Sequence, residues 1–370
     1  MKRVFGVFLF VFSVCIFSVA TNAVVAQETT DVRSEVIATN LNNPCGLAIQ
    51  PGTNHLFVAD SGSGRVVRIL DGKPRDVITG FPKQKFGRNP EFEIGPLSLL
   101  FLDKDTLVVG GGGQNDGEEL LSVFKLPAVG AEAITADAAT QKLSLKPEGS
   151  VPGEGDFFGL AKSAKGVYVT CNGDDIKSWI ARADIAAGGK LENFRRYIPT
   201  RDVAGVNSMG GLTFNPEGML VAAHMGKTGP KRDSILAFYN EKTLFLDRFE
   251  TDMFDITALA YGKKKNRLYA LDFSFANPER GGLFKLIQSP DRTRSVAVKI
   301  ASLDKPTAMV FDSLGNLYVT VMGSEKKAGE SDEPEDEAAE VLDRAAGKPK
   351  DGPQYPGQLI KIYGIDKPGK

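Results

Sequence analysis

Cysteine is scarce, with three in 370 residues, and that excludes a small disulfide-stapled scaffold. Histidine occurs twice, at His55 and His224, and tryptophan once, at Trp179. No Gly-x-Ser-x-Gly turn exists and neither histidine has an evident nucleophile partner, so serine-hydrolase chemistry has no support. Nor is there an excess of either charge: 45 basic and 46 acidic residues leave no basic footprint for nucleic acid. The glycine run Gly110 to Gly113 lacks the following Lys and Ser or Thr of a phosphate cradle, and reads as a flexible rim loop.

The one long hydrophobic run is Val4 to Ala20, preceded by Lys2 and Arg3 and followed by the small residues Val24-Val25-Ala26. This reads as a secretory signal peptide over 1–26, then a linker over 27–34, giving a secreted or periplasmic protein with no membrane span after cleavage. Loss of Lys2 and Arg3 leaves 43 basic residues against 46 acidic ones, a net charge of about −3. Cys45 and Cys171 survive processing.

What the chain does contain is a repeat. A small residue, a large apolar residue and a further apolar residue recur at Gly46-Leu47-Ala48, Ser98-Leu99-Leu100, Gly159-Leu160-Ala161, Gly211-Leu212-Thr213, Ala258-Leu259-Ala260 and Ala308-Met309-Val310. Each is followed by a polar turn and a second β-branched or aromatic run, such as Leu56-Phe57-Val58-Ala59 or Leu317-Tyr318-Val319-Thr320. Most copies add a third run, such as Arg65-Val66-Val67-Arg68-Ile69. A period near fifty residues with up to four antiparallel strands per copy predicts an all-β, six-bladed propeller over 35–366, with a tail over 367–370. The small residue heading each inner strand is expected where six strands converge on a channel.

The last copy lacks an outermost strand, and Glu35-Val36-Ile37-Ala38-Thr39 has strand character with no blade of its own. The expectation is that it closes the ring beside Ile360, which removes an unpaired edge. An acidic, proline-containing stretch over 323–357, with Glu330 to Glu337 at its centre, reads as a disordered insertion in blade six, with a short helix expected over 338–346. Trp179 is expected to pack between blades three and four.

Asn43-Pro44-Cys45-Gly46-Leu47-Ala48-Ile49, followed by His55 to Gly62 and Arg65 to Ile69, resembles an NHL-type propeller repeat. The same phrase resembles the gluconolactonase and senescence-marker-protein family of six-bladed propellers. Val36 to Pro44, Val77-Ile78-Thr79-Gly80-Phe81-Pro82 and Gly95-Pro96 resemble the secreted propellers encoded with scytonemin biosynthesis. The lactonase resemblance implies hydrolysis of lactones with calcium or zinc, held by Glu, Asn and Asp residues immediately before the small residue of the inner strands. Here that column holds Cys45, Leu97, Phe158, Gly210, Thr257 and Thr307. None is a carboxylate or an amide, and two neutral hydroxyls do not make a hard-cation site. Glu93 and Asn207 lie a few residues upstream. The histidine-rich signature of the quinone-dependent sugar dehydrogenases, which share the architecture, is missing.

The starts of first strands and the ends of second strands share one rim, and the second-strand ends read Asp60, Gly111, Cys171, His224, Asp272 and Val321. Asp60 and Asp272 precede turns, where a carboxylate accepts backbone N–H groups and fixes the connection to the third strand. His224 is a candidate ligand contact. Cys171, Asn172, Asp174, Thr257 and Thr307 complete the rim candidates, Asn172 and Asp174 lying in a turn too short for a recognised calcium loop. A bridge between Cys45 and Cys171 would have to cross the channel mouth. The expected protein is therefore a monomeric binding module with its site at the rim, taking a small molecule or a protein, with no cofactor and no bound metal. The alternative is a gluconolactonase-like hydrolase whose metal site is altered or lost, for which calcium or zinc would be the cofactor.

Overall fold

The computed structural model describes residues 32–87, 91–173, 178–205, 209–227, 229–240, 245–324 and 356–366. Residues 1–26, most of the acidic stretch over 323–357, the helix expected over 338–346 and the tail over 367–370 lie outside them. Among the described residues no helix is long and apolar enough to cross a membrane.

Six antiparallel sheets stand around an axis, each led by one of the repeated phrases. Blade one runs Pro44–Ile49, Leu56–Asp60, Arg65–Leu70, Lys73–Thr79, and the same order of inner to outer strand holds in the others. Second strands such as Leu56–Asp60 and Leu220–His224 are buried along their whole length. They read as continuous apolar runs because each blade is sandwiched between two others and has no wet face. Cores accordingly lie between blades. Phe57 and Val66 of blade one pack with Leu99 and Val109 of blade two, and Val108 and Leu121 of blade two pack with Val169 and Ala181 of blade three.

Closure follows the expectation from the sequence. Ser34–Asn42 pairs antiparallel with Pro356–Ile362, with Val36 opposite Ile360, and supplies the fourth strand of blade six. One strand was not foreseen: Ile134–Thr135, from the connection after the third strand of blade two, adds in parallel to the outer edge of blade one.

Trp179 sits elsewhere than expected. It packs with Val108, Phe157 and Val169 between blades two and three, while its neighbour Ile180 turns toward blade four. Strand parity decides this, since adjacent residues point to opposite faces.

The reason for the small residues is also different. A Cβ on Gly46 would come within 2.9 Å of the Leu97 carbonyl oxygen, and one on Gly211 within 2.6 Å of the Ala258 Cα. The conflict is with the backbone of the next inner strand, rather than with side chains across the channel. That close approach lets polar side chains stitch each blade to its successor. Asn43 Nδ2 donates to the Glu93 carbonyl at 2.9 Å, Ser98 Oγ to Phe157 at 2.6 Å and Thr170 Oγ1 to Gly210 at 3.1 Å. Ser234 Oγ donates to Phe254 at 2.6 Å, Thr257 Oγ1 to Pro306 at 2.8 Å and Thr307 Oγ1 to Pro44. The ring is complete.

Candidate functional site

Inner-strand starts and second-strand ends surround a cavity of about 300 Å³ at one mouth of the channel. Its floor is the column named above, with Cys45, Leu97, Phe158, Thr257 and Thr307. A second space of about 90 Å³ touches Cys45, Phe158, Thr257 and Thr307 as well, so these four side chains separate mouth from channel. One wall is a hairpin between blades one and two, Gln84–Phe86 with Phe92–Ile94. Phe92 packs both with Cys45, Ile94 and Leu97 and with Phe273 and Met322 on the far side. Phe273 and Phe275, with ring centroids 4.3 Å apart, form the opposite wall.

Against these apolar surfaces the polar groups are few: Asn43, Asp156, Asn172 and Ser178 from the upper wall. Asp156 is the single carboxylate among the described residues of the lining. It lies three residues before the small Gly159 and adopts φ 45°, a left-handed conformation that Asp tolerates better than most residues. Its backbone N–H is accepted by the Glu119 carboxylate, which also takes the Gln114 N–H at 3.2 Å. Its own Oδ1 is buried with no hydrogen-bond partner among the described residues. Burial, reinforced by Asp116, pushes the Asp156 carboxyl up to about 7. Glu119, only 1% exposed, is pushed up to about 8, first by burial and then by the charge of Asp156.

Sequence reasoning missed Asp156 and Glu119. The signal was one column over, at three residues before each small head, where Asn43, Asp156, Asp255 and Lys305 stand. Asn43 and Lys305 share the left-handed backbone, at φ 46° and 50°. Asp255 is buried beside Asp272 and accepts the Phe275 N–H at 2.8 Å. Burial pushes its carboxyl up to about 7, with Asp272 and Asp233 adding to the shift.

Of the expected rim residues, Asn172, Thr257 and Thr307 line the cavity, and Asp174 lies outside the described residues. The hydroxyls of Thr257 and Thr307 are directed to carbonyls of the next blade. Asp60, Cys171, His224 and Asp272 do not line it, and each is fully buried or nearly so. Asp60 accepts the Asn42 N–H at 2.5 Å and pairs with Arg65 at 2.7 Å, tying the end of the closing strand to the start of its own blade's third strand. Burial raises its carboxyl, opposed by Asn42 and Arg65. Asp272 accepts N–H groups of Phe254 at 3.0 Å, Asp255 at 2.9 Å and Ser274 at 3.1 Å. It therefore secures both its own turn and the segment leading into blade five. His224 Nε2 meets the Tyr239 hydroxyl at 3.3 Å inside blade four.

Cys45 and Cys171 are both free thiols. Cys171 belongs to the core between blades two and three, and burial drives its thiol well above the usual range. Cys45 faces the cavity, and burial pushes it up to about 12, so it stays neutral. The Gly110 to Gly113 run is closely packed rather than loose: a Cβ on Gly113 would lie 2.1 Å from the Pro82 carbonyl oxygen.

By fold the chain is a six-bladed β-propeller, and solved structures share it over most of its length. A gluconolactonase from Xanthomonas campestris superposes with TM-score 0.53 at 11% identity, over 92% of this chain and 92% of that one. The PQQ-bound aldose sugar dehydrogenase of Streptomyces coelicolor gives 0.54 at 14% identity, over 89% and 98%. A luciferin-regenerating enzyme gives 0.54 at 12%, over 92% and 97%. At such identities the likeness is one of architecture. No protein-family profile matches the chain, and no curated protein resembles it in sequence.

The described residues do not fit a metal centre or a carboxylate-bearing quinone at this mouth. Among the described residues no three His, Cys, Asp or Glu side chains converge as metal ligands, and the threonine hydroxyls of the inner column are already spent on carbonyls. A quinone cofactor bearing carboxylates would need cationic partners, yet among the described residues no Lys, Arg or His lines the cavity.

Proposed function

We propose that the chain is a binding module whose site is the cavity at the channel mouth, taking a small and largely apolar molecule. The carrying observation is Asp156: a carboxylate on strained backbone that borders a concave, largely apolar space of ligand size. Such a combination is what specific pockets share. Rigid strands fix the floor, and variable loops supply the walls. The leader-like start supports export, secreted or periplasmic.

The neutral dye N-phenyl-1-naphthylamine tests the reading, since its fluorescence rises on entering an apolar site. Enhancement in the native protein that weakens in a folded Phe92→Ala variant is expected. No enhancement at any protein concentration overturns it. A lactone hydrolase is the second reading, supported by the shared architecture and by Asp156 as a near-neutral general base. Turnover of gluconolactone that is lost in Asp156→Asn would put this reading first.

A further inference from the structure

We propose that the cavity is built for an organic cation: an ammonium group carrying an aryl or short alkyl arm, its charge against Asp156 and its arm among the phenylalanines. This rests on the reading of the cavity as a binding site, and specifies the ligand that such a site takes.

Charge is the first argument. Among the described residues the cavity lining holds one carboxylate and no basic residue. Basic side chains nearby are committed elsewhere: Lys83 to Glu93 at 2.7 Å, Lys85 to Glu91 at 2.5 Å and Arg65 to Asp60. Behind Asp156, Asp116 adds potential of the same sign. An anionic ligand would meet uncompensated repulsion in a poorly hydrated space, whereas a cation would recover the desolvation that the empty site carries.

The walls argue the same way. Phe86, Phe92, Phe158, Phe273 and Phe275 all border the cavity. Ring faces attract a cation, increasingly so away from water, and the methyl or methylene groups beside a nitrogen fit such rings where a hydrated metal ion does not. A neutral apolar ligand would gain nothing from a half-buried carboxylate held on the cavity wall at φ 45°. An amide or a hydroxyl there would cost less to bury.

Near neutral pH the empty site holds a proton in place of the cation, because burial pushes Asp156 up to about 7. The titratable groups facing it are Glu119 and Asp116 from blade two and the Cys45 thiol from blade one, which stays neutral. Cation and proton therefore compete, and affinity rises with pH.

Calorimetric titration with 2-phenylethylamine, 2-phenylethanol and 3-phenylpropanoate tests this, since the three share shape and differ in charge. The amine should bind about tenfold tighter than the alcohol at pH 8 and the carboxylate should not bind. The preference should shrink at pH 6, with protons released on binding, a readout that needs no variant. In Asp156→Asn, which keeps a residue tolerant of left-handed backbone, amine and alcohol should become equal. Equal binding of amine and alcohol to the native protein overturns the cation assignment and leaves the cavity a binding site. Binding of the naphthylamine dye with none of the three compounds does the same. Failure of the dye and all three compounds overturns both.

Discussion

The Glu119 carboxylate accepts the backbone N–H of Asp156, so that a buried acid of blade two holds the lead-in segment of blade three in its left-handed turn. Glu119→Ala leaves that N–H and the Gln114 N–H without their acceptor. A loss of about 2 kcal/mol in stability is expected, read by urea unfolding. Glu119→Gln, which retains a carbonyl oxygen, should lose less.

Stability should fall as pH rises. Glu119 at about 8 and Asp156 and Asp255 at about 7 keep their protons in the fold over a range where the unfolded chain has released them. The folded chain then binds more protons, so this contribution is fully present below about pH 4 and is lost as pH climbs through 7 to 8. Carboxylates shifted the other way, such as Asp184 beside Arg195, are more exposed and weigh less. Thermal melts should show a lower Tm at pH 8.5 than at pH 5.5, with a smaller difference in Asp255→Asn.

Asp272→Ala should destabilise the fold by roughly 3 kcal/mol, since three backbone N–H groups lose their acceptor. Its effect on ligand affinity should be small beside that of Asp156→Asn, because Asp272 does not border the cavity. Denaturant midpoints and dye binding measured on the same samples separate the two effects. A large loss of affinity at unchanged stability would count against this assignment.

Deleting residues 35–39 should cost far more than trimming a terminus. Those residues include Val36 opposite Ile360 and Ala38 opposite Leu359, and their loss opens the ring and leaves blade six with a bare edge. A fall in Tm of many degrees, with aggregation, is expected; an unchanged Tm would contradict closure by this strand.

Much of the architecture was legible before any coordinates. The phrase Gly46-Leu47-Ala48 and its counterparts encode an inner strand every fifty residues or so, and Val36 finds its partner because only one edge is left over. Residue types were informative about the site mainly by what they exclude, as with Leu97 and Phe158 standing where metal ligands would be. The rim was harder. Asp60 and Asp272 stand at the rim in sequence, and the turn-holding role read for them is the one they fill, Asp60 with the Asn42 N–H and Arg65 and Asp272 with three backbone N–H groups. Asp156, two residues outside the column that drew attention, is the acid that borders the cavity among the described residues.

The sequence alone settled the blade count, the strand positions and the way the ring closes, because those depend on local pattern and on a repeat that each copy restates. It also showed that the inner column holds no carboxylate or amide. Only the tertiary structure decided which polar groups face the cavity. That depends on strand parity, on a hairpin whose Phe92 spans the mouth to reach Phe273, and on which carboxylates the backbone has already claimed. None of these is written in the neighbours of a residue along the chain.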